Sequence, residues 1–314
     1  MLDGYALNPG DLTWDPLRDF GEVAIYDRTS PDKIVERSQG AEIILTNKAL
    51  LTEEVIADLP NLKLIVVTAT GYNVVDLQAA SKRGIAVTNV PAYSTNSVAQ
   101  FTFALLLELC HHVQAHSDAV HAGEWSSSPD FCFWKHPQIE LYGKTLGIVG
   151  FGNIGRQVAR IACATGMKIV IDKHASYASD VCEFDQMEMP DLLKSADVVS
   201  LHAPLTEETR GMINRETLAL MKQSAFLLNT SRGPLVVDAD LADALNSGQI
   251  AGAGLDVLTV EPPTDGNPLL TAKNCLITPH IAWATREARS RLMEVLYKNI
   301  ASFVSGQPTN VVNQ

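Results

Sequence analysis

The sequence predicts an α/β protein made of two doubly wound domains, each with a parallel sheet covered by helices. Short apolar runs alternate with segments of helical periodicity over residues 1–97, and such alternation is typical of parallel sheets. A second alternation begins at residue 145. The length of 314 residues and the hydrophobic content of 46% are sufficient for two cores.

The first domain is predicted from four strand-like runs that are separated by amphipathic segments. The strands are expected at 23–26, 42–46, 64–68 and 85–88, and the helices at 31–38, 52–58 and 75–83. The segment 97–121 predicts a helix that leads into the second domain, and 285–305 predicts a final helix with one apolar face. We expect the final helix to return to the first domain, so that the domains are 1–97 with 286–314, and 98–285.

The second domain begins with a strand and a glycine-rich turn. Gly150, Gly152 and Gly155 follow the apolar run 145–149 with the spacing G-x-G-x-x-G, and a helix follows them. In a βαβ unit the first glycine permits the tight turn, the second lets the backbone approach a pyrophosphate, and the third allows close helix packing. The sequence therefore predicts a dinucleotide-binding domain, whose further strands are expected at 168–171, 197–201, 225–228, 252–257 and 275–278.

The choice between NAD and NADP depends on the end of the second strand of this unit. Asp172 lies about 20 residues after the glycines, where a carboxylate binds the ribose 2′-hydroxyl of NAD and repels the 2′-phosphate of NADP. Lys173 and His174 follow directly, and a cation at this position can accept that phosphate. We therefore expect NAD, with NADP possible.

Three ionisable side chains follow later strands, where open α/β sheets bind their ligands. Arg232 follows an apolar strand, and its guanidinium can hold a carboxylate through two hydrogen bonds. His280 follows Thr278-Pro279 and can exchange a proton near neutral pH. Glu261 can accept a hydrogen bond from the other ring nitrogen and orient the imidazole. This combination suits hydride transfer coupled to proton transfer at a carbonyl.

Four separated motifs then occur together, in the order of a known family. They are Gly150-Phe-Gly-Asn-Ile-Gly155, Asn229-Thr-Ser-Arg232-Gly-Pro, Gly254-Leu-Asp256-Val-Leu-Thr-Val-Glu261-Pro and Thr278-Pro-His280-Ile-Ala-Trp283. With them, nearly the whole chain resembles the D-isomer-specific 2-hydroxyacid dehydrogenase family, and the segment Asp130-Phe-Cys-Phe-Trp134 resembles its glycerate dehydrogenases, or hydroxypyruvate reductases. The resemblance implies a Rossmann NAD(P)-binding domain and a flavodoxin-like substrate (catalytic) domain.

The resemblance also implies roles for the site residues. Arg232 binds the substrate together with His280, which protonates the carbonyl oxygen with the support of Glu261, while Thr70 and Gly71 complete the carboxylate site. The implied substrate is a small 2-oxo monocarboxylic acid, with hydroxypyruvate and glyoxylate favoured, and D-glycerate is the product from hydroxypyruvate. A homodimer is implied. The implied coenzyme contacts are Gly150, Gly152, Asn153, Ile154, Gly155, Asp172, Lys173, Ala203, Pro204, Thr230, Ser231 and Asp256.

The composition argues against several other classes. A net charge of −12 disfavours nucleic acid, which would require a basic stripe. No apolar run reaches about 18 residues and no signal segment is recognised, so we expect a cytoplasmic protein without a membrane partner. The five cysteines show no C-x-x-C pair and are expected to be reduced and mostly buried. His112 and His116 lack a third ligand, so no metal site is expected.

Some alternatives stay open on sequence alone. A dinucleotide-sensing co-repressor of the same fold would bind the coenzyme without turnover. Another dehydrogenase of the family would act on lactate or phosphoglycerate. Trp134 and Trp283 belong either to the substrate pocket, to a dimer contact or to ordinary core packing.

Overall fold

The computed structural model describes residues 1–173, 183–263 and 266–313. The chain forms two compact units, Met1–Ser94 with Trp283–Gln314, and Thr95–Ala282. Each boundary lies three residues earlier than predicted, because the connecting helix already begins at Thr95 and Trp283 packs with Tyr93 in the first unit. His174 and Cys182 lie outside the described residues.

Most of the predicted helices and strands occur in the described residues, together with some that were not predicted. The helices are α1 (Ile34–Ser38), α2 (Glu53–Ala57), α3 (Leu77–Lys82), α4 (Thr95–His111), α5 (Val113–His121), α6 (Asn153–Ala164), α7 (Met189–Ser195), α8 (Arg215–Leu218), α9 (Asp238–Ser247) and α10 (Arg286–Val304). The strands are β1 (Ile43–Thr46), β2 (Leu64–Val67), β3 (Ala86–Thr88), β4 (Thr145–Val149), β5 (Lys168–Asp172), β6 (Asp185–Met187), β7 (Val198–Leu201), β8 (Phe226–Asn229), β9 (Gly252–Leu255) and β10 (Cys275–Ile277).

The first unit contains a parallel sheet in the order β1-β2-β3. Successive residues of β2 point to opposite faces, so that Leu64 packs with Leu292 of α10 while Ile65 packs with Ile56 of α2. The sheet is therefore covered by helices on both faces, as the continuous apolar run of β2 predicts.

The prediction of a strand at 23–26 is wrong, because these residues form no regular strand. These residues instead bond to the N-terminal segment: the amide of Gly4 donates to the Tyr26 carbonyl across 2.8 Å, and the amide of Leu2 donates to the Leu45 carbonyl of β1 across 3.0 Å. The isolated bonds do not form a continuous ladder. The segments nevertheless lie side by side in the order 23–26, N-terminal segment, β1, β2, β3. Numbered along the chain, this is the 2-1-3-4-5 order of flavodoxin-like sheets.

The second unit contains a seven-stranded parallel sheet in the order β10-β9-β8-β7-β4-β5-β6. Counted from β4, this is the 3-2-1-4-5-6 order of a Rossmann domain with one further strand. The sequence prediction missed β6, because its residues Asp185, Gln186 and Met187 form no apolar run. Gly252 and Gly254 of β9 allow α4 to pack closely through Leu105 and Leu109.

Two further expectations require correction. The predicted helix 97–121 is interrupted at His112, which adopts the left-handed conformation with φ +46° and separates α4 from α5.

The expectation of reduced cysteines holds for Cys110, Cys132 and Cys275. It fails for Cys163, which is disulfide-bonded. Cys132 is also exposed rather than buried.

Within the described residues, no helix combines the length and the apolar character that a membrane span requires.

Candidate active site

A glycine loop joins β4 to α6 at the carboxyl edge of the second sheet. Gly150 adopts φ +91°, and a Cβ on it would lie 2.5 Å from the backbone of His202 and Ala203. A Cβ on Gly155 would lie 2.3 Å from the Gly150 carbonyl oxygen. The protein's own packing therefore requires both glycines.

Gly152 is different, because the described part of the protein leaves open space around it. Its φ is −76°, and no heavy atom lies within 4 Å of the position that a Cβ would take. It is the N-cap of α6, and Asn153 and Ile154 begin the first turn of that helix. Close approach of a pyrophosphate to a helix N-terminus gives a physical reason for glycine here, so the loop fits a dinucleotide.

The ends of three strands converge beside this loop. Ala203, which follows β7, lies against Gly150, and its carbonyl oxygen accepts a 2.8 Å hydrogen bond from the hydroxyl of Ser231, which follows β8. Pro204 continues the chain at the same edge. The strand order reverses between β4 and β7, and such a reversal is where open α/β sheets bind dinucleotides.

The cation predicted at the end of β5 is already paired. The Lys173 ammonium forms an ion pair with the Glu188 carboxylate, which follows β6, and Asp172 is the last residue of β5. Glu188 beside Lys173 raises the pKa of the ammonium group. Sequence reasoning missed Glu188 because β6 itself was not predicted.

His280 and Glu261 form the most specific polar pair of the candidate site. The imidazole Nδ1 lies 2.6 Å from Glu261 Oε2, and Glu261 Oε1 accepts a 3.1 Å hydrogen bond from the amide of Leu258. Both side chains are 31% exposed, so the pair reaches solvent. With Nδ1 directed at the carboxylate, the ring turns Nε2 toward its opposite side.

His280 is held in an uncommon backbone conformation by the neighbouring Asp256. Its φ is +55°, and its amide donates to the Asp256 carbonyl oxygen across 2.9 Å. The Asp256 carboxylate accepts bonds from the amides of Ile281 at 2.9 Å and Ala282 at 2.8 Å, and from the Thr278 hydroxyl at 2.6 Å. The carboxylate therefore organises the turn that carries the histidine.

Two predicted coenzyme contacts carry side chains directed into the protein. Asp256 is 1% exposed, and burial raises the pKa of its carboxyl although its three hydrogen bonds oppose that rise. Thr230 is 8% exposed, and its hydroxyl lies 2.9 Å from that of Thr102 on α4. Their contacts with a coenzyme stay predictions.

Arg232 lies exposed after β8, in a loop fixed by its neighbours. Asn229 donates from its side chain to the Arg232 carbonyl across 2.9 Å and accepts from the Ser231 amide across 3.0 Å. A Cβ on Gly233 would lie 1.9 Å from the Leu258 carbonyl oxygen, so glycine lets this loop approach the loop that holds Glu261. Within the described residues, the Arg232 guanidinium contacts no carboxylate and donates to the Ser231 carbonyl.

Thr70 and Gly71 lie in the first unit, in the loop that follows β2. The Asn89 side chain donates to the Thr70 carbonyl across 2.7 Å, and the Thr70 hydroxyl donates to the Val90 carbonyl across 3.0 Å. Among the described residues, the amides of Thr70 and Gly71 donate to no other group. They are therefore available for a carboxylate, and this role stays a prediction.

His202 lies beside the glycine loop, and sequence reasoning did not identify it as a candidate. It follows β7 directly beside Gly150, and its Nε2 lies 2.8 Å from the Ser200 hydroxyl. Burial lowers the pKa of this imidazole from 6.5 to about 4, so it is neutral at physiological pH. Its only sequence signal was its place before the predicted contacts Ala203 and Pro204.

The two tryptophans left open by the sequence have different surroundings. Trp283 is half-buried and packs edge-on against Tyr93 in the first unit, with ring centroids 6.4 Å apart. Trp134 is 69% exposed in the second unit. No group of three metal-ligating side chains occurs in the described chain.

The second unit thus combines a dinucleotide loop, an oriented imidazole and an exposed guanidinium along the carboxyl edge of one sheet. An imidazole with one nitrogen on a carboxylate can deliver a proton from the other. A guanidinium without a carboxylate partner can bind an anionic substrate. Together these groups suit the reduction of the 2-oxo group of a 2-oxo carboxylate, with hydride supplied by a nicotinamide.

Comparisons with known proteins agree with this chemistry. Residues 103–282 match the family model described as D-isomer specific 2-hydroxyacid dehydrogenase, NAD binding domain. A hydroxypyruvate reductase from Blautia hydrogenotrophica is 50% identical over 320 residues, covering 100% of this chain and 99% of that protein. A glycerate dehydrogenase from Methylorubrum extorquens is 43% identical, covering 93% and 92%.

A solved structure shows the same similarity in three dimensions. The D-lactate dehydrogenase from Aquifex aeolicus, complexed with NAD and lactic acid, has a TM-score of 0.83 and 35% identity, with 96% of this chain and 95% of that chain covered.

Proposed function

Because this chain belongs to the D-isomer specific 2-hydroxyacid dehydrogenase family, we propose that it reduces hydroxypyruvate to D-glycerate and glyoxylate to glycolate. It is an NAD(P)-dependent oxidoreductase that acts on CH–OH groups. The observation that carries the proposed mechanism is the 2.6 Å pair of His280 and Glu261 at the carboxyl edge of the sheet.

Substrate binding is assigned to Arg232. The guanidinium would hold the carboxylate of the 2-oxo acid through two hydrogen bonds. Among the groups assigned to the substrate, Arg232 is the one assigned to an anionic group, and His280 is assigned to the carbonyl oxygen. This suits a small monocarboxylate, whereas a phosphorylated acid would require further basic groups.

Proton transfer is assigned to His280. NAD(P)H, when bound along the glycine loop, supplies the hydride to C2 of the 2-oxo acid. Protonated His280 donates from Nδ1 to Glu261 and from Nε2 to the carbonyl oxygen, and it transfers the Nε2 proton as the alkoxide forms. Glu261 stabilises the charged imidazole and sets its orientation. The reverse oxidation returns the hydroxyl proton to His280.

We propose a homodimer formed through the second unit. Several of its exposed large apolar residues lie in the region 107–134, where Phe131 is 89% exposed and Trp134 is 69% exposed. Burial of such a group of side chains in a partner is energetically favourable. The proposed location is the cytoplasm, which the free thiols of Cys110, Cys132 and Cys275 favour, although the disulfide at Cys163 departs from this pattern. Light scattering after gel filtration measures the oligomeric state, and a monomer at micromolar concentration would exclude the dimer.

The experiment that tests the function is a spectrophotometric assay of the purified protein. It crosses NADH and NADPH with hydroxypyruvate, glyoxylate, pyruvate and phosphohydroxypyruvate, and chiral chromatography identifies the product. We expect the highest kcat/KM for hydroxypyruvate or glyoxylate, and the D enantiomer of glycerate as the product from hydroxypyruvate. A preference for pyruvate or phosphohydroxypyruvate would overturn the substrate assignment. Tight coenzyme binding without turnover of any of the four acids would indicate a binding protein instead.

A further inference from the structure

We propose that Glu188 determines coenzyme selectivity: by holding the Lys173 ammonium, it keeps the ribose site at the end of β5 selective for NAD over NADP. This inference rests on the proposed function for the place of the coenzyme, because a dinucleotide bound at the glycine loop carries its adenosine ribose to the end of this strand.

The sheet register brings the two side chains together. Asp172 of β5 is paired with Met187 of β6, and the amide of Lys173 donates to the Met187 carbonyl across 2.9 Å. Lys173 directly follows β5 and Glu188 directly follows β6, and their side chains form an ion pair. The parallel pairing of β5 and β6 therefore fixes the position of Glu188 next to Lys173.

The ion pair lies at an accessible edge. The side chains of Lys173 and Glu188 are 53% and 50% exposed, so a ribose substituent that reaches the end of β5 meets them. Glu188 is the N-cap of α7, but its side chain makes no capping hydrogen bond there. Its carboxylate is thus used for Lys173 and not for the helix terminus.

The local charge disfavours a phosphate. At the described ends of β5 and β6, the positive charge of Lys173 is already paired with the Glu188 carboxylate. A phosphate monoester carries about −1.5 to −2 charge at pH 7. To bind it, Lys173 would have to leave Glu188, and the released carboxylate would then repel the phosphate. The 2′-hydroxyl of NAD requires neither change, and the Asp172 carboxylate can accept its hydrogen bond.

The substitution Glu188→Gln tests this inference, because it retains the shape of the side chain while removing its charge. We would titrate NADH and NADPH into the purified protein and measure Kd from coenzyme fluorescence, with adenosine 2′,5′-bisphosphate and AMP as calorimetric probes of the ribose site. The wild type should prefer NADH. Glu188→Gln should shift the ratio of the two Kd values toward NADPH by about fivefold, a gain typical of one exposed charge pair. The gain should shrink at high salt.

Two further variants separate this explanation from others. Asp191→Asn removes the same charge from the first turn of α7, where Asp191 pairs with Lys194 at 3.4 Å, and should leave the ratio unchanged. The double variant Glu188→Gln, Lys173→Met should not show the shift of the Kd ratio toward NADPH, because it lacks the Lys173 ammonium that Glu188→Gln would release. An equal gain in Asp191→Asn or in the double variant would contradict the proposed role of the ion pair.

The outcomes also distinguish this inference from the proposed function. If the wild type binds neither NADH nor NADPH, the proposed function itself fails. If NADH binds well but Glu188→Gln leaves the Kd ratio unchanged, only the role of Glu188 is refuted. A wild type that prefers NADPH would refute it as well.

Discussion

Ala282 donates its backbone N–H to the Asp256 carboxylate across 2.8 Å, and this bond fixes the turn that carries His280. Asp256→Asn replaces one acceptor oxygen by an NH₂ group that faces backbone or hydroxyl donors. We expect the free energy of unfolding to fall by about 1–3 kcal/mol and kcat to fall with it. Urea unfolding and steady-state kinetics measure both. Thr278→Val, which removes one of the three side-chain bonds, should cause a smaller loss, and the opposite order would argue against this role.

His280→Asn removes the proposed acid while retaining a polar side chain. We expect kcat for 2-oxo acid reduction to fall by about 10²- to 10⁴-fold, because proton transfer typically contributes that much. The Kd for NADH should change little, since the histidine is not assigned to coenzyme binding. His121→Asn, at the exposed end of α5, is the matched control and should retain full activity. Full activity of the His280 variant would reject the assigned acid.

Arg232→Lys retains the charge but loses the planar fork of the guanidinium. We expect kcat/KM for hydroxypyruvate to fall by about 10- to 100-fold, which corresponds to the loss of one charged hydrogen bond. Arg215→Lys in the same unit is the control, because Arg215 pairs with Asp240 and Asp243 instead of a substrate. If both variants lose activity equally, the Arg232 guanidinium is not a specific carboxylate ligand.

The glycine loop allows a test that separates packing from coenzyme binding. Gly155→Ala should destabilise the protein by about 1–3 kcal/mol, because the new Cβ would meet the Gly150 carbonyl oxygen at 2.3 Å. Gly152→Ala should change the free energy of unfolding by about 1 kcal/mol or less, since nothing described lies within 4 Å of its Cβ. It should instead raise the Kd for NADH. A stable Gly152→Ala variant with unchanged Kd would contradict the proposed pyrophosphate contact.

The lowered pKa of His202 should make the free energy of unfolding depend on pH. The folded protein lowers its pKa from 6.5 to about 4, so between these pH values the unfolded chain binds more protons than the folded chain. The free energy of unfolding should therefore rise as the pH increases through this window, by up to about 3 kcal/mol from this group, and level off above pH 6.5. Urea unfolding at pH 5 and pH 7.5 measures the change. His202→Asn should reduce this dependence, and an unchanged slope would mean that other groups cause it.

Much of the second sheet was predictable because its strands are buried and therefore apolar throughout. β4, β5, β7 and β8 were predicted within a residue at either end, and the family model and the solved structure confirm the Rossmann fold. The polar edge strand β6 was not predictable, since an edge strand need not be apolar. The break at His112 was also missed, because a single left-handed residue leaves no periodicity signal.

The sequence by itself determined the fold class, the glycine loop and the candidates Arg232, Glu261 and His280, because their chemistry follows from residue type and from position after a strand. Only the tertiary structure decided which partners these and other polar groups have. It joined Nδ1 of His280 to Glu261, turned the Asp256 carboxylate toward the backbone of the turn that carries His280, and paired Lys173 with Glu188. The physical reason is that these pairs join residues 15 to 26 positions apart in the chain, and only the packing of loops at one sheet edge brings such residues within hydrogen-bond distance.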